Sequence, residues 1–178
     1  MADDTLLIRP ARPEDLGAIT AIYGHAVATG TASFELDPPD ETEMRRRFDA
    51  LSASGHPYLA ALRADRLVGY AYAGPYRPRP AYRATVEDSI YLSPSAQGQG
   101  VGLALLKHLV GAAEAAGFRQ MVAVIGDSGH RASIRLHERL GFRLVGTLEN
   151  VGWKHGRWLD SVLMQRGLGP AADAPPAR

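Results

Sequence analysis

Apolar residues recur at intervals of three and four over Leu16, Ile19, Ile22, Tyr23 and Ala26, just after Pro10 and Pro13, and this spacing predicts an amphipathic helix. A β-like run, Thr5 to Arg9, precedes it. Asp40-Glu41-Thr42-Glu43 reads as a capping box, with the Asp40 carboxylate accepting an early N–H and Glu43 reaching back; Met44, Phe48 and Leu51 then supply the stripe of a second helix. Tyr58 to Leu62 and Leu67 to Ala73 flank Arg63-Ala64-Asp65-Arg66 at hairpin spacing. The prolines of Gly74-Pro75-Tyr76-Arg77-Pro78-Arg79-Pro80 predict a stiff, extended loop before a strand over Thr85 to Leu92. A third helix carries Leu105, Leu106, Leu109 and Ala113 on one face and ends near Gly117. Gln120 to Ile125 reads as a buried strand, Arg131 to Leu140 as a fourth helix, and Phe142 to Leu148 and Arg157 to Gln165 as closing strands. The order β-α-α-β-β-β-α-β-α-β-β predicts a mixed α/β layer architecture with a largely antiparallel front half. Residues 1–166 form one expected domain; 167–178, rich in Gly, Ala and Pro, form an expected disordered tail.

Composition narrows the chemistry. The 178 residues carry a net charge of +1, which provides no general field for nucleic acid or an anionic membrane. There is no cysteine, so disulfides, thiolate nucleophiles and thiolate metal sites are excluded. Met1 to Asp4 is acidic where a signal peptide would be basic, and no apolar run approaches the ~20 residues of a membrane span. The expectation is a soluble, cytoplasmic protein.

Between the strand ending in Tyr91-Leu92-Ser93-Pro94 and the third helix lies Gln97-Gly98-Gln99-Gly100-Val101-Gly102. Successive N–H groups at a helix N-terminus, unshielded by side chains, suit a phosphate. A P-loop would need Gly-Lys-Ser/Thr where Gly102-Leu103-Ala104 stands, and a dinucleotide turn would need Gly or Ala at Leu103 or Leu105, and an acid near Gln120.

What remains, Gln97-x-x-Gly100-x-Gly102, resembles the pyrophosphate turn of the GNAT superfamily of acetyl-CoA-dependent N-acetyltransferases, and Ala132-Ser133-Ile134-Arg135-Leu136-His137-Glu138-Arg139-Leu140-Gly141-Phe142 resembles a second signature of that superfamily. Ala71-Tyr72-Ala73-Gly74-Pro75, the Glu87 strand, Val122-Ala123-Val124-Ile125-Gly126, Leu136-His137-Glu138 and Lys154-His155-Gly156 together resemble the phosphinothricin and methionine sulfoximine acetyltransferase branch. The resemblance implies a central mixed sheet flanked by helices, acetyl-CoA as cosubstrate, a small amino-acid-like acceptor and a homodimer. It implies diphosphate binding by Gly98, Gln99, Gly100, Val101, Gly102 and Leu103, and pantetheine pairing along Ile90, Tyr91 and Leu92. Seven residues before His137 the family usually carries Asn, where this chain has His130, which is grouped with the cofactor-binding residues on that match.

Alternation places Glu87 on one face with Ser89 and Tyr91, and Val86, Asp88 and Ile90 on the other. A strand carboxylate is ordinarily solvated or ion-paired; the resemblance implies instead that Glu87 takes the proton of the acceptor amine, with Asp88 structural. His137 lies on an inward stripe with Ser133, Leu136 and Leu140. By the resemblance it either relays the amine proton or helps the thiolate depart. His137-Glu138-x-x-Gly141 lacks the second His of a zinc motif, so no metal is expected. Arg77 and Arg79 are the expected clamp for anionic groups, Phe34 an apolar wall, and Trp153, Lys154 and Trp158 line either that pocket or a dimer interface. The implied reaction is direct acetyl transfer to an α-amine in a ternary complex. The alternatives are a different amine acceptor or a non-catalytic CoA-binding module.

Overall fold

A computed structural model describes residues 5–176. The acidic start, Met1 to Asp4, and the last two residues of the expected tail lie outside the described residues. The elements run β1 (Leu7–Pro10), α1 (Leu16–Thr29), α2 (Glu41–Ala53), β2 (Tyr58–Arg63), β3 (Arg66–Pro75), β4 (Thr85–Leu92), α3 (Val101–Ala115), β5 (Gln120–Gly126), α4 (Arg131–Arg139), β6 (Arg143–Lys154) and β7 (Arg157–Gly167). This is the order the periodicity predicts.

Seven strands form one sheet in the order β1-β2-β3-β4-β5-β7-β6. Neighbours are antiparallel except β4 and β5, which run parallel because α3 returns the chain across one face of the sheet between them. Their pairing is short. It holds Thr85 to Asp88 against Gln120 to Ala123, and beyond it the two strands have no further paired residues. The backbone of Ser89 to Leu92 is therefore open on that side.

Strand alternation sorts the core into two layers. On the face covered by α3 and α4, Ala71, Ala73, Val86, Met121 and Met164 pack against Leu105, Leu106 and Leu109. On the other face, Leu16, Ile19, Tyr23 and Val27 of α1 and Met44 and Phe48 of α2 pack on Tyr58 and Tyr70. The α1 stripe ends on Val27 rather than Ala26. The Asp40 carboxylate accepts the Glu43 N–H at 2.8 Å, as a cap should, but the Glu43 carboxylate pairs with Arg46 and Arg47, so the reciprocal half of the box is replaced by helix-surface ion pairs.

The sequence reading misplaces three boundaries. Gly74 and Pro75 belong to β3, paired with Glu87 and Val86, because Pro75 sits at the strand end. The β6 strand continues past Leu148 to Lys154 through a register shift; Asn150 takes φ 54° and its N–H donates to Asp160 Oδ1 at 3.0 Å, so a polar interruption becomes a bulge instead of a loop. The packed domain also extends beyond residue 166: Gly167 closes β7, Leu168 is fully buried and its N–H donates to Arg119 O at 2.9 Å.

The hairpin turns depend on backbone geometry more than composition. Ala64 and Asp65 (φ 44° and 59°) join β2 to β3, and His155 and Gly156 (φ 49° and 73°) join β6 to β7, both fitting two-residue turns that match strand twist.

Leu109 has no exposed surface and packs α3 against the sheet. Leu109→Ala should cost about 2–5 kcal/mol of unfolding free energy, measured by chemical denaturation; a loss under about 1 kcal/mol would show that α3 does not hold this layer.

Candidate active site

The opening between β4 and β5 is the centre of the site. On the α4 side it leads into a cavity of about 60 Å³ lined by Asp88, Ile90, Tyr91, Ile125, His130 and His137, among others. On the α1/α2 side lies a cavity of about 430 Å³ whose walls include Tyr23, Tyr58, Tyr70, Tyr72, Arg47 and Glu87. Ser89 borders both.

Glu87 is half-buried on the second cavity. Burial first, then the neighbouring charge of Asp88, push its pKa up to about 7 against the opposing pull of Arg77. A carboxyl that titrates near neutrality can accept a proton and release it again at little cost. The tyrosines behind it stack across β2, β3 and β4: Tyr58 on Tyr70 at 5.8 Å, Tyr58 on Tyr72 at 5.1 Å, and Tyr70 on Tyr91 at 5.5 Å. The upper wall is pinned by a chain of polar contacts. Lys154 Nζ donates to Ser33 O at 2.8 Å, Tyr23 Oη lies 2.9 Å from Ser33 Oγ and donates to Glu35 at 2.9 Å, and Arg47 closes on Glu35 at 2.6 Å.

His137 belongs to the other face. Its Nδ1 is 2.7 Å from Ser133 O, its Nε2 is 2.9 Å from Asp88 Oδ2, and the Phe142 ring meets it edge-on at 4.9 Å. Glu87 and His137 thus flank β4 from opposite sides and do not touch one cavity.

The glycine turn opens onto the N-terminus of α3. Gly98 (φ 72°) and Gly100 (φ 80°) take left-handed conformations, and a Cβ at either would meet nothing within 4 Å, so their backbone is open to a ligand. The first intrahelical bond runs from Ala104 N–H to Gly100 O, which leaves the N–H groups of Val101, Gly102 and Leu103 without an intrahelical acceptor. Unshielded glycine backbone and unclaimed helix N–H groups are what a diphosphate requires. Gln99 is fixed by its own Nε2 bond to Ser95 O at 2.6 Å and by Arg63, which donates to Gln99 Oε1. Arg63 places a cation beside the turn that the hairpin sequence gave no reason to single out.

The other expected residues fall as follows. Ile90, Tyr91 and His130 line the α4-side cavity. Leu92 does not: its side chain packs on Gly69 and Gly102, so only its backbone remains available. Phe34 lies over Gly126 and Gly152, where the absence of side chains makes room for its ring, and it does not line the Glu87 cavity. Arg77 and Arg79 are exposed at the loop after β3, with the Arg77 guanidinium 5.1 Å from the Tyr76 ring centre. The cavity wall itself carries Arg46 and Arg47, which the sequence reading missed within a polar-looking helix face; both are already answered by Glu43, and Arg47 by Glu35 as well. Among the described residues no cluster of three His, Asp or Glu side chains could hold a metal ion, and no helix is long and apolar enough to cross a membrane.

Comparison with known proteins identifies the family. The acetyltransferase (GNAT) family matches residues 19–142. A phosphinothricin N-acetyltransferase of Alcaligenes faecalis is 56% identical over 161 residues, covering 90% of this chain and 82% of the relative. An L-methionine sulfoximine/L-methionine sulfone acetyltransferase of Pseudomonas paraeruginosa is 44% identical over 169 residues, 94% of this chain and 98% of the relative. The crystal structure of a GNAT superfamily phosphinothricin acetyltransferase from Sinorhizobium meliloti in complex with AcCoA superposes with a TM-score of 0.94 at 50% identity, covering 98% of this chain and 94% of that one.

The Glu87 carboxyl should titrate with a midpoint of about 7 by carbon-detected NMR, and Arg77→Ala should move that midpoint upward, since Arg77 opposes the shift. A midpoint in the ordinary carboxylate range would remove the basis for Glu87 as a proton acceptor near neutral pH.

Proposed function

The chain belongs to the GNAT acetyltransferase family, and we propose that it transfers the acetyl group of acetyl-CoA to the α-amine of a small amino-acid analogue of the phosphinothricin or methionine sulfoximine type. The thioester of acetyl-CoA supplies the activated acetyl group. The observation that carries the reading is Glu87: a half-buried carboxyl with a pKa of about 7 on the wall of a cavity of about 430 Å³, beside the β4–β5 opening.

An α-ammonium group has a pKa near ~8, so most of the acceptor arrives protonated and cannot attack. Glu87 takes that proton, directly or through one water, and the free amine attacks while both substrates are held. The N–H groups from Gly98 to Leu103 hold the diphosphate, and the open edge of Ile90 to Leu92 holds the amide-bearing arm. His137, across β4 from Glu87, serves the sulfur side; the separation favours that role over a relay of the amine proton. No covalent acetyl-enzyme is needed, since the chain has no cysteine and Glu87 serves as base.

Arg77 and Arg79 attract the acceptor's anionic groups. Arg77 acts on Glu87 electrostatically, and neither arginine has an ion pair among the described residues, whereas Arg46 and Arg47 are compensated. An excess of cationic groups also disfavours polyamines. The protein works in the cytoplasm as a homodimer without nucleic acid or membrane. For the dimer, β6 is an edge strand that exposes Leu144, Val145, Leu148, Val151 and Trp153, an apolar surface an isolated edge would leave prone to association.

A thiol-release assay with a panel of amines tests the function: phosphinothricin, methionine sulfoximine and methionine sulfone should be acetylated and spermidine should not. Turnover of spermidine alone would refute the acceptor class. Glu87→Gln should lower kcat by about 100-fold or more at pH 7 and leave a rate that climbs with pH as free amine accumulates. The wild-type rate should instead complete its acid-side rise near pH 7, as Glu87 ionises. Arg77→Ala should raise the KM for the amine about tenfold with acetyl-CoA affinity unchanged; equal weakening for both substrates would contradict the clamp.

A further inference from the structure

We propose that Asp88 is a positioning residue for proton delivery to the departing thiolate: through Oδ2 it keeps His137 as an imidazolium whose Nε2–H is the proton source on the α4 side of the opening. The inference rests on the acetyl-transfer reading above.

The geometry restricts the ring. Asp88 is 7% exposed and His137 4%. The Ser133 carbonyl, 2.7 Å from Nδ1, can only accept, so Nδ1 carries a proton. Nε2 then faces a carboxylate oxygen at 2.9 Å. A neutral ring opposite an ionised carboxylate would set two acceptors against each other, so one proton must lie between Nε2 and Oδ2. Asp88 Oδ1 is buried with no hydrogen-bond partner, which makes the ring the carboxylate's only hydrogen-bonded counterpart among the described residues. Leaving both members neutral would give up the charge-assisted bond.

The surrounding charges agree. Burial acts to lower the His137 pKa, but the hydrogen bond and charge of Asp88, with the Ser133 carbonyl, outweigh it and raise it above its ordinary value. The other titratable groups lining that cavity are His130 from the start of α4 and Tyr91 from β4, and Glu87 is coupled to Asp88 only electrostatically, from the other face of β4. Burial first, with the charge of His137 adding and Asp127 opposing, holds His130 below its ordinary value, so it does not compete for the proton near pH 7.

His137 Nε2 gives its proton to the sulfur as the C–S bond breaks and the bonding pair stays on sulfur. The ring is then briefly neutral with Nδ1–H still on Ser133 and its bare Nε2 facing the Asp88 carboxylate, and the repulsion of these two acceptors draws a proton back onto Nε2 from solvent as the thiol leaves. The acceptor's proton travels separately, to Glu87. Two faces of one strand thus divide proton removal from proton supply.

The test is nitrogen NMR of histidine-labelled protein without ligands, wild type and Asp88→Asn, together with the pH dependence of kcat. In the wild type both ring nitrogens of His137 should be protonated at pH 7. In Asp88→Asn the ring should be neutral at pH 7 and the alkaline limb of kcat should move about one unit or more to lower pH, a tenfold loss on that side. The acid limb should also move down, because Glu87 loses the charge that raises its pKa. A neutral wild-type ring at pH 7, or an alkaline limb that Asp88→Asn leaves in place, overturns the proposal. Should the variant fail to fold, the wild-type spectrum decides. Failure of the acetyl-transfer reading looks different: Glu87→Gln would then leave the acid limb unchanged whatever the state of His137.

Discussion

The site depends on a short parallel pairing. β4 and β5 hold together only from Thr85 to Asp88 against Gln120 to Ala123, and then part. Parallel neighbours need a crossover, and α3 supplies it, so the same connection that makes the strands parallel brings a helix N-terminus and its glycine turn to the mouth of the gap. Had β5 continued alongside Ser89 to Leu92, the backbone there would be satisfied internally and the two cavities would be closed off from each other. The separation produces an unpaired strand edge, a pocket on either face and an open helix N-terminus in one connection.

Alternation along β4 divides the proposed chemistry between those faces. Glu87 looks toward the tyrosines and α2 and its sequence neighbour Asp88 toward α4, so in the proposed mechanism adjacent residues serve proton removal and proton supply. The two carboxylates are electrostatically linked as well, since the charge of Asp88 contributes to the raised pKa of Glu87. The environments differ in kind. The Glu87 face is roomy, aromatic and rimmed by cations, the surroundings the proposed zwitterionic acceptor with its extra anionic group calls for. The α4 face is narrow, and two hydrogen bonds, to Ser133 O and Asp88 Oδ2, hold the His137 ring there.

Much of this was legible in the chain. The strand over Thr85 to Leu92, the turn at Gln97 to Gly102 and the inward stripe of α4 are local patterns with local causes, and each stands where periodicity predicts it. In sequence Asp88 reads as structural because alternation turns it away from Glu87, and nothing local shows that His137, 49 positions on, ends 2.9 Å from it. The Arg46 and Arg47 side chains border the acceptor cavity although their helix face reads as solvated. Phe34 took the place opened by Gly126 and Gly152, two glycines from different strands whose meeting depends on the register of β5, β7 and β6. Local pattern gives elements; which side chains share a cavity is decided by tertiary register.

The central claim is that the two reactants approach β4 from opposite faces. A crystal structure of the ternary complex with coenzyme A and an unreactive acceptor analogue tests it most directly. The account predicts the diphosphate on the N–H groups of Gly98 to Leu103, the sulfur in the β4–β5 opening beside His137, and the acceptor nitrogen within hydrogen-bond or one-water reach of Glu87 in the tyrosine-walled cavity. An acceptor seated on the α4 face, or a diphosphate bound away from the glycine turn, would contradict it.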